Sequence, residues 1–250
     1  MTVKNIYDFL DSLAPYSDMC GWDNSGFNLG DINGEVCGIA AALDCTNDVI
    51  DEAEKNGCNL IVCHHPLIFN PLKKLEFGTP VYNAAAKGIN VISCHTNFDM
   101  ADGGVNDVLA DVLKLKNVEK LYAEGKPLMR RGETDFSSTK AFAEFCSEKL
   151  NNAVKFFDSG KKVQKVAVCS GAGGEYVFEA VEAGCDTLVT GEAKHHEFLD
   201  AENLKINLVA AGHYSTENPA MAVLQNKLKT AFPDEKIIFI GGKRPYETVI

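Results

Sequence analysis

The sequence predicts an α/β fold built from two similar halves, and three observations predict it. Short runs of β-forming residues alternate along the chain with segments of helical pattern. Three of these helical segments run into a glycine, Gly57, Gly88 and Gly184, before the next apolar run begins. Letters of the first half also recur in the second at a fixed offset of 127: Glu52, Ala53, Gly57 and Cys58 fall on Glu179, Ala180, Gly184 and Cys185.

In order, "VCGIAAAL" (36–43) reads as a strand and "TNDVIDEAEKNG" as a helix, with Thr46 or Asn47 as its N-cap and Gly57 at its end. "NLIVC" is the next strand, "TPVYNAAAKG" a helix, "INVISCH" a strand and "GGVNDVLADVLKL" a helix. The second half repeats this with "KVAVCSG", "GEYVFEAVEAG", "CDTLVTG", "HHEFLDAENLK", "INLVAAG" and "NPAMAVLQNKLKTAF". Strand, helix and strand at these lengths imply parallel pairing through right-handed crossovers. The expected division is a first domain over 1–125 and a second over 126–250, whose C-terminal segment packs back on the first. Residues 116–136, polar and carrying Lys126, Arg130 and Arg131, read as a compact crossing with solvated charges.

A formal net charge of −11 and a pI near 5.0 make nucleic acid a poor partner, because the average surface repels phosphate. No run approaches the 18 or so apolar residues of a membrane span, and the expected location is cytoplasmic. Nine cysteines without a C-x-x-C pair read as small buried hydrophobes in a reducing compartment. Cys63 and Cys94 adjoin histidines, but strand alternation points each away from its neighbour.

All six histidines lie in four places: His64 and His65, His95, His195 and His196, and His213. Each follows an apolar strand candidate or the loop beyond one, and the carboxyl edge of a parallel sheet is where ligands bind. His64 and His65 converge only because the strand stops at them; inside a strand adjacent side chains face opposite ways. The pairing of the halves also sets His95-x-x-x-Asp99 against His213-x-x-x-Glu217, two copies of one half-site. His64, His65 and His213 with Asp99 and Glu217 give nitrogen and oxygen donors suited to Zn, Mn, Fe or Ni, and their number suits two divalent ions sharing a carboxylate. Plain structural readings stand beside this: Asp99 as a cap for the segment from Ala101, Glu217 as a first-turn acid, and His195 and His196 as polar residues opening a helix.

The motifs "WDNSGFNLGD", "ALDCT", "CHHPLIF", "HTNFD", "GGVND", "TGEAKHH" and "AGHYSTE" resemble, in order and spacing, the dinuclear-metal family of GTP cyclohydrolase 1 type 2 homologues. This chain is similar to its short members, without the middle insertion domain of longer ones. The resemblance implies two intertwined, topologically similar three-layer α/β/α domains with the metals in the cleft between them, and a toroidal homohexamer built as three dimers. It implies His65 and Asp99 on one ion, His64 and His213 on the other, and Glu217 as the bridge. It places His95 beside the metals; His95 and His196 are the catalytic candidates for moving a proton, with His195 standing beside His196 for the same task, and Asp44 and Asn24 are weaker candidates for the cleft. The implied activity is hydrolysis of a small nucleotide, phosphoester or cyclic amide. The alternative is a non-enzymatic metal-binding chaperone, store or regulatory protein. A third reading, a ring that clamps DNA, is opposed by the net charge unless Lys126, Arg130, Arg131, Lys161 and Lys162 line one face.

Overall fold

The computed structural model describes residues 1–246 of the 250. The chain forms two compact units, Met1–Ala101 with Ala220–Lys243, and Asp102–Pro219 with residues 244–246. The first contains α1 (Val3–Leu13), β1 (Gly26–Leu29), β2 (Ile39–Ala42), α2 (Asn47–Lys55), β3 (Leu60–Cys63), α3 (Pro80–Ala86), β4 (Asn90–Ser93) and α4 (Thr96–Met100). The second contains α5 (Val105–Val112), β5 (Lys116–Ala123), β6 (Lys126–Phe136), α6 (Thr139–Leu150), β7 (Lys155–Phe157), β8 (Val163–Cys169), α7 (Val177–Glu182), β9 (Thr187–Thr190), α8 (His195–Leu204), β10 (Asn207–Ala210) and the start of α9 (His213–Ala231). The rest of α9 and β11 (Ile237–Phe239) belong to the first unit.

The first sheet runs β1-β4-β3-β2-β11, with β4, β3, β2 and β11 parallel and β1 antiparallel at one edge. Strands β2, β3 and β4 are buried along their whole length, which is why their centres read as apolar with no alternation. Helix α2 starts where Thr46 Oγ1 accepts a hydrogen bond from Val49 N at 3.3 Å. Its stripe of Val49, Ile50 and Ala53 joins Ala40, Ile61 and Val91 of the sheet in one apolar core.

The second sheet runs β5-β6-β8-β9-β10-β7, with β8, β9 and β10 parallel and β7 antiparallel on β10. This is the first unit's plan again: β8, β9, β10 and β7 stand where β2, β3, β4 and β1 stand. The offset of 127 holds residue for residue between β3 and β9, and it carries the end of β2 at Ala42 onto the end of β8 at Cys169. Polar details repeat too. Asn59 Oδ1 accepts from Cys37 N at 2.8 Å, and the matching Asp186 accepts from Lys165 N at 2.8 Å, each tying down the chain at the neighbouring strand. Gly57 and Gly184 both take φ near +70° (68° and 73°) after α2 and α7, a conformation that favours glycine.

Residues 116–136 are not a crossing. β5 and β6 pair antiparallel around Glu124 and Gly125, both at positive φ (53° and 75°), the geometry of a two-residue hairpin turn matched to strand twist. The expected boundary at 125/126 falls inside this hairpin, between strands of one sheet. β5 is largely exposed, which accounts for its polar sequence. Arg130 differs from expectation as well: it is 1 % exposed, paired through Nε with Asp107 Oδ1, while its Nη1 donates to the carbonyls of Pro127 and Met129 at 3.0 Å each. Arg131 stays at the surface and pairs with Glu119 at 2.8 Å. Among the described residues no helix is long and apolar enough to cross a membrane.

Candidate metal centre

In the first unit, β3 ends at Cys63 and the chain turns under backbone control. His64 N donates to Leu43 O at 3.1 Å and His65 N to the same carbonyl at 3.1 Å, so both histidines are held at the carboxyl edge of the sheet. Their rings converge, with centroids 5.0 Å apart, and His95 joins them at 5.1 Å from His64 and 5.5 Å from His65. One ring nitrogen from each of the three lies within 4.8 Å of the others.

The other ring nitrogens are already engaged. His64 Nδ1 lies 2.8 Å from Cys94 O, His65 Nδ1 2.7 Å from Asp44 Oδ1, and His95 Nδ1 2.8 Å from Asp23 Oδ1. A carbonyl or carboxylate at Nδ1 fixes the proton there and leaves the Nε2 lone pair for a metal, the arrangement that orients histidine ligands in metalloproteins. Asp99, on the first turn of α4, brings Oδ1 to 3.6 Å from His64 Nε2. Imidazoles plus a carboxylate fit a divalent transition-metal ion and not a Ca or Mg cage.

In the second unit the corresponding pair sits on α9. The helical run read from the sequence starts at Asn218; the structure begins the helix at His213 and carries it through Pro219. His213 and Glu217 are therefore one turn apart on one face, with Nε2 to Oε2 at 3.1 Å, and Glu217 is buried. His95 and Asp99 have the same spacing at the start of α4, where Asp99 N donates to His95 O at 3.0 Å. The duplicated His-x-x-x-acid motif is a duplicated helical turn. Glu192 Oε2 stands 3.4 Å from His213 Nδ1, repeating the Nδ1 support seen in the first unit. A cavity of about 670 Å³ opens beside it, lined by Lys155, Glu192, Lys194, Gly212 and Tyr246 among others, a size that suits a small molecule.

The family model described as Duf34/NIF3 (NGG1p interacting factor 3) matches residues 1–245. The chain belongs to the Duf34/NIF3 family. It is 32 % identical over 243 residues to a GTP cyclohydrolase 1 type 2 homolog of Clostridium acetobutylicum, covering 92 % of this chain and 91 % of that one. A Campylobacter jejuni protein of the same name is 32 % identical over 256 residues, covering 99 % of each. Among solved structures, Staphylococcus aureus protein SA1388 superposes with a TM-score of 0.90 at 29 % identity, over 100 % of this chain and 99 % of that chain. Reduced HcgD from Methanocaldococcus jannaschii superposes at 0.80 with 31 % identity, covering 96 % and 97 %.

Within this Duf34/NIF3 chain three supporting residues escape a reading of the sequence. Asp23 is one: its carboxylate accepts from His95 Nδ1, from Ser25 Oγ at 2.7 Å and from Thr96 Oγ1 at 2.5 Å. Burial alone would raise its pKa, but these hydrogen bonds and the His95 interaction hold it well below the usual carboxylate range. A depressed folded-state pKa contributes stability above the unfolded value near 4 and loses it as pH falls below that value. Thermal melts from pH 5 to pH 2 are therefore expected to fall more steeply in the wild type than in Asp23→Asn; parallel curves would remove Asp23 from the acid response.

Glu192 is the second and Gly171 the third. Gly171 takes φ +60°, and a Cβ there would lie 2.3 Å from Glu217 Oε1 and 3.3 Å from His213 Nε2. Gly171→Ala is expected to keep the fold while displacing the Glu217 carboxylate, weakening metal affinity by about 10–100-fold, the range typical of lost ligand support. Competition with a metal-sensitive dye measures this, and unchanged affinity would show that Glu217 moves without consequence.

Asp44, a weak candidate in the sequence, is placed as the Nδ1 partner of His65. Asn24 donates through Nδ2 to Ile68 O at 2.5 Å, a contact between loops. His195 and His196 are exposed on the first turn of α8, His196 lying 3.9 Å from Glu197, and no metal-donor cluster among the described residues includes either. Burial pushes the Cys94 thiol up to about 12 and the Cys63 thiol well above its usual value, which keeps both protonated.

Proposed function

We propose that this chain is a metal-dependent hydrolase of a small nucleotide, phosphoester or cyclic amide, using two divalent transition-metal ions. The observation that carries this reading is the trio His64, His65 and His95, each with Nδ1 anchored and Nε2 presented. Its duplicate supports it: each unit supplies a helical turn with a histidine and an acid one turn apart. In this reading His65 and Asp99 serve one ion, His64 and His213 the other, and Glu217 both.

Bound ions would supply Lewis-acid activation of water and charge stabilisation at the reacting oxygen. The protein's own contribution is orientation. Asp44, Cys94 O and Asp23 hold three imidazoles in one tautomer, and buried Glu217 presents a carboxylate in a setting that strengthens electrostatic interactions. In the same reading His95, with Nδ1 tied to Asp23, takes and returns a proton through Nε2. The relatives' name, GTP cyclohydrolase 1 type 2 homolog, makes GTP the first substrate to test. Assembly as a homohexamer is part of the same proposal.

The test is turnover of GTP, a cyclic amide and a phosphodiester by protein stripped with chelator and reloaded with Zn, Mn, Fe or Ni. Turnover that appears on reloading is the expected result. Metal-loaded protein inert towards all three would overturn the hydrolase reading in favour of a metal-binding protein without catalysis.

A further inference from the structure

Trp22 is the single tryptophan of the chain, and it is 59 % exposed. Beside it lies Phe69, 45 % exposed, with ring centroids 5.9 Å apart and planes at 39°. A lone apolar residue at a surface is ordinary. Here two large rings leave much of their area to water while both abut one imidazole of the metal-donor cluster: Trp22 meets His95 edge-on at 5.9 Å and Phe69 does so at 6.2 Å.

The pair is also built to keep its place. The rings come from different loops, and those loops are pinned next to them: Asn24 Nδ2 donates to Ile68 O at 2.5 Å. The turn after Trp22 is fixed by Asp23, which accepts from Asn24 N at 2.7 Å, Ser25 Oγ at 2.7 Å and Thr96 N at 3.1 Å. Neither ring belongs to the apolar core behind the sheet, which is filled by aliphatic residues and cysteines. Rigid, exposed aromatic faces next to a reactive centre are what a flat ligand needs, because stacking on them is strong and tolerant of ring identity. With a net charge of −11 the protein has little general attraction for a phosphate group, so recognition of a nucleotide-like molecule would fall to its ring.

We infer that Trp22 and Phe69 form the stacking wall for the planar heteroaromatic ring of the substrate, holding it against the His64, His65 and His95 centre. This rests on the hydrolase reading of that site and names its substrate class. Leu72, Leu75 and Phe77, exposed in the segment that follows Phe69 in sequence, make a protein contact the competing use of the pair.

Because Trp22 is the only tryptophan, its fluorescence reports the wall directly. Metal-loaded protein is titrated with guanosine monophosphate, adenosine monophosphate and, as the ring-free control, ribose 5-phosphate, with metal content measured on every sample. The expected result is saturable quenching by the two nucleotides and none by ribose 5-phosphate. Phe69→Ala is expected to weaken nucleotide binding about tenfold, or about 1.4 kcal/mol, at unchanged metal content. By calorimetry Trp22→Phe should retain binding while Trp22→Ala loses it to the same extent. Absence of saturable quenching, an equal response to ribose 5-phosphate, or full affinity in both alanine variants would overturn the inference while leaving the metal reading intact. A wild type that takes up no metal fails the hydrolase reading instead. Dissociation of an oligomer by Phe69→Ala, without ring-dependent quenching, would assign the wall to a protein contact and likewise overturn it.

Discussion

Glu217→Ala is expected to lose bound metal and any metal-dependent turnover together. Glu217 is buried, its Oε2 lies 3.1 Å from His213 Nε2, and its proposed role is to serve both ions. Loss of a supporting residue typically weakens metal binding 10–100-fold, so loss of a shared ligand should exceed about 100-fold. Glu217→Gln, which keeps the shape and removes the charge, should fall between wild type and alanine. Metal titration followed by a fluorescent chelator reads all three proteins. Circular dichroism should show the same helix content in each, since a single buried turn of α9 is altered. Wild-type affinity in Glu217→Ala would remove this carboxylate from the centre.

Asp107→Ala is expected to destabilise the second unit by up to about 3–5 kcal/mol, because it removes a carboxylate from a buried guanidinium. Arg130 is 1 % exposed, and Asp107 meets it through both carboxylate oxygens, the second at 3.4 Å from Nη2. Asp107 Oδ2 also accepts from Gly103 N at 2.6 Å, so the same side chain fixes the entry to α5. The double variant Asp107→Ala with Arg130→Met should recover part of the loss, because an apolar side chain tolerates the site without a counter-charge. Urea midpoints of the two variants test this. Equal midpoints for wild type and Asp107→Ala would show that Arg130 finds compensation elsewhere.

What the sequence made legible follows from which interactions are local. Buried parallel strands have apolar centres without alternation, so β2, β3, β4, β9 and β10 are each legible in the sequence. The duplication could be read because Gly57 and Gly184 stop equivalent helices before equivalent strands. His64, His65 and the two His-x-x-x-acid motifs stood out since their spacing alone carries the geometry. The hairpin of β5 and β6 was missed because Glu124 occupies a positive-φ turn position where Asn, Asp or Gly is the usual sign. The run that reads as helical from Asn218 begins later than α9, which opens at His213 and holds Pro219 in its interior, where proline is disfavoured. Arg130 looked like a surface charge because its partner Asp107 lies 23 residues away in sequence. Asp23 was invisible for the same reason: it acts on His95 across 72 residues. The candidate metal donors are written in local motifs, whereas the residues that aim them are set by the fold.

The most direct test of the proposed two-ion centre is the metal content of the wild-type protein, purified without chelator and measured by elemental analysis against protein concentration. The account predicts about two divalent transition-metal ions per chain. A chain that retains no stoichiometric metal, even after incubation with Zn, Mn, Fe or Ni, would contradict it and leave the anchored histidines with some other purpose.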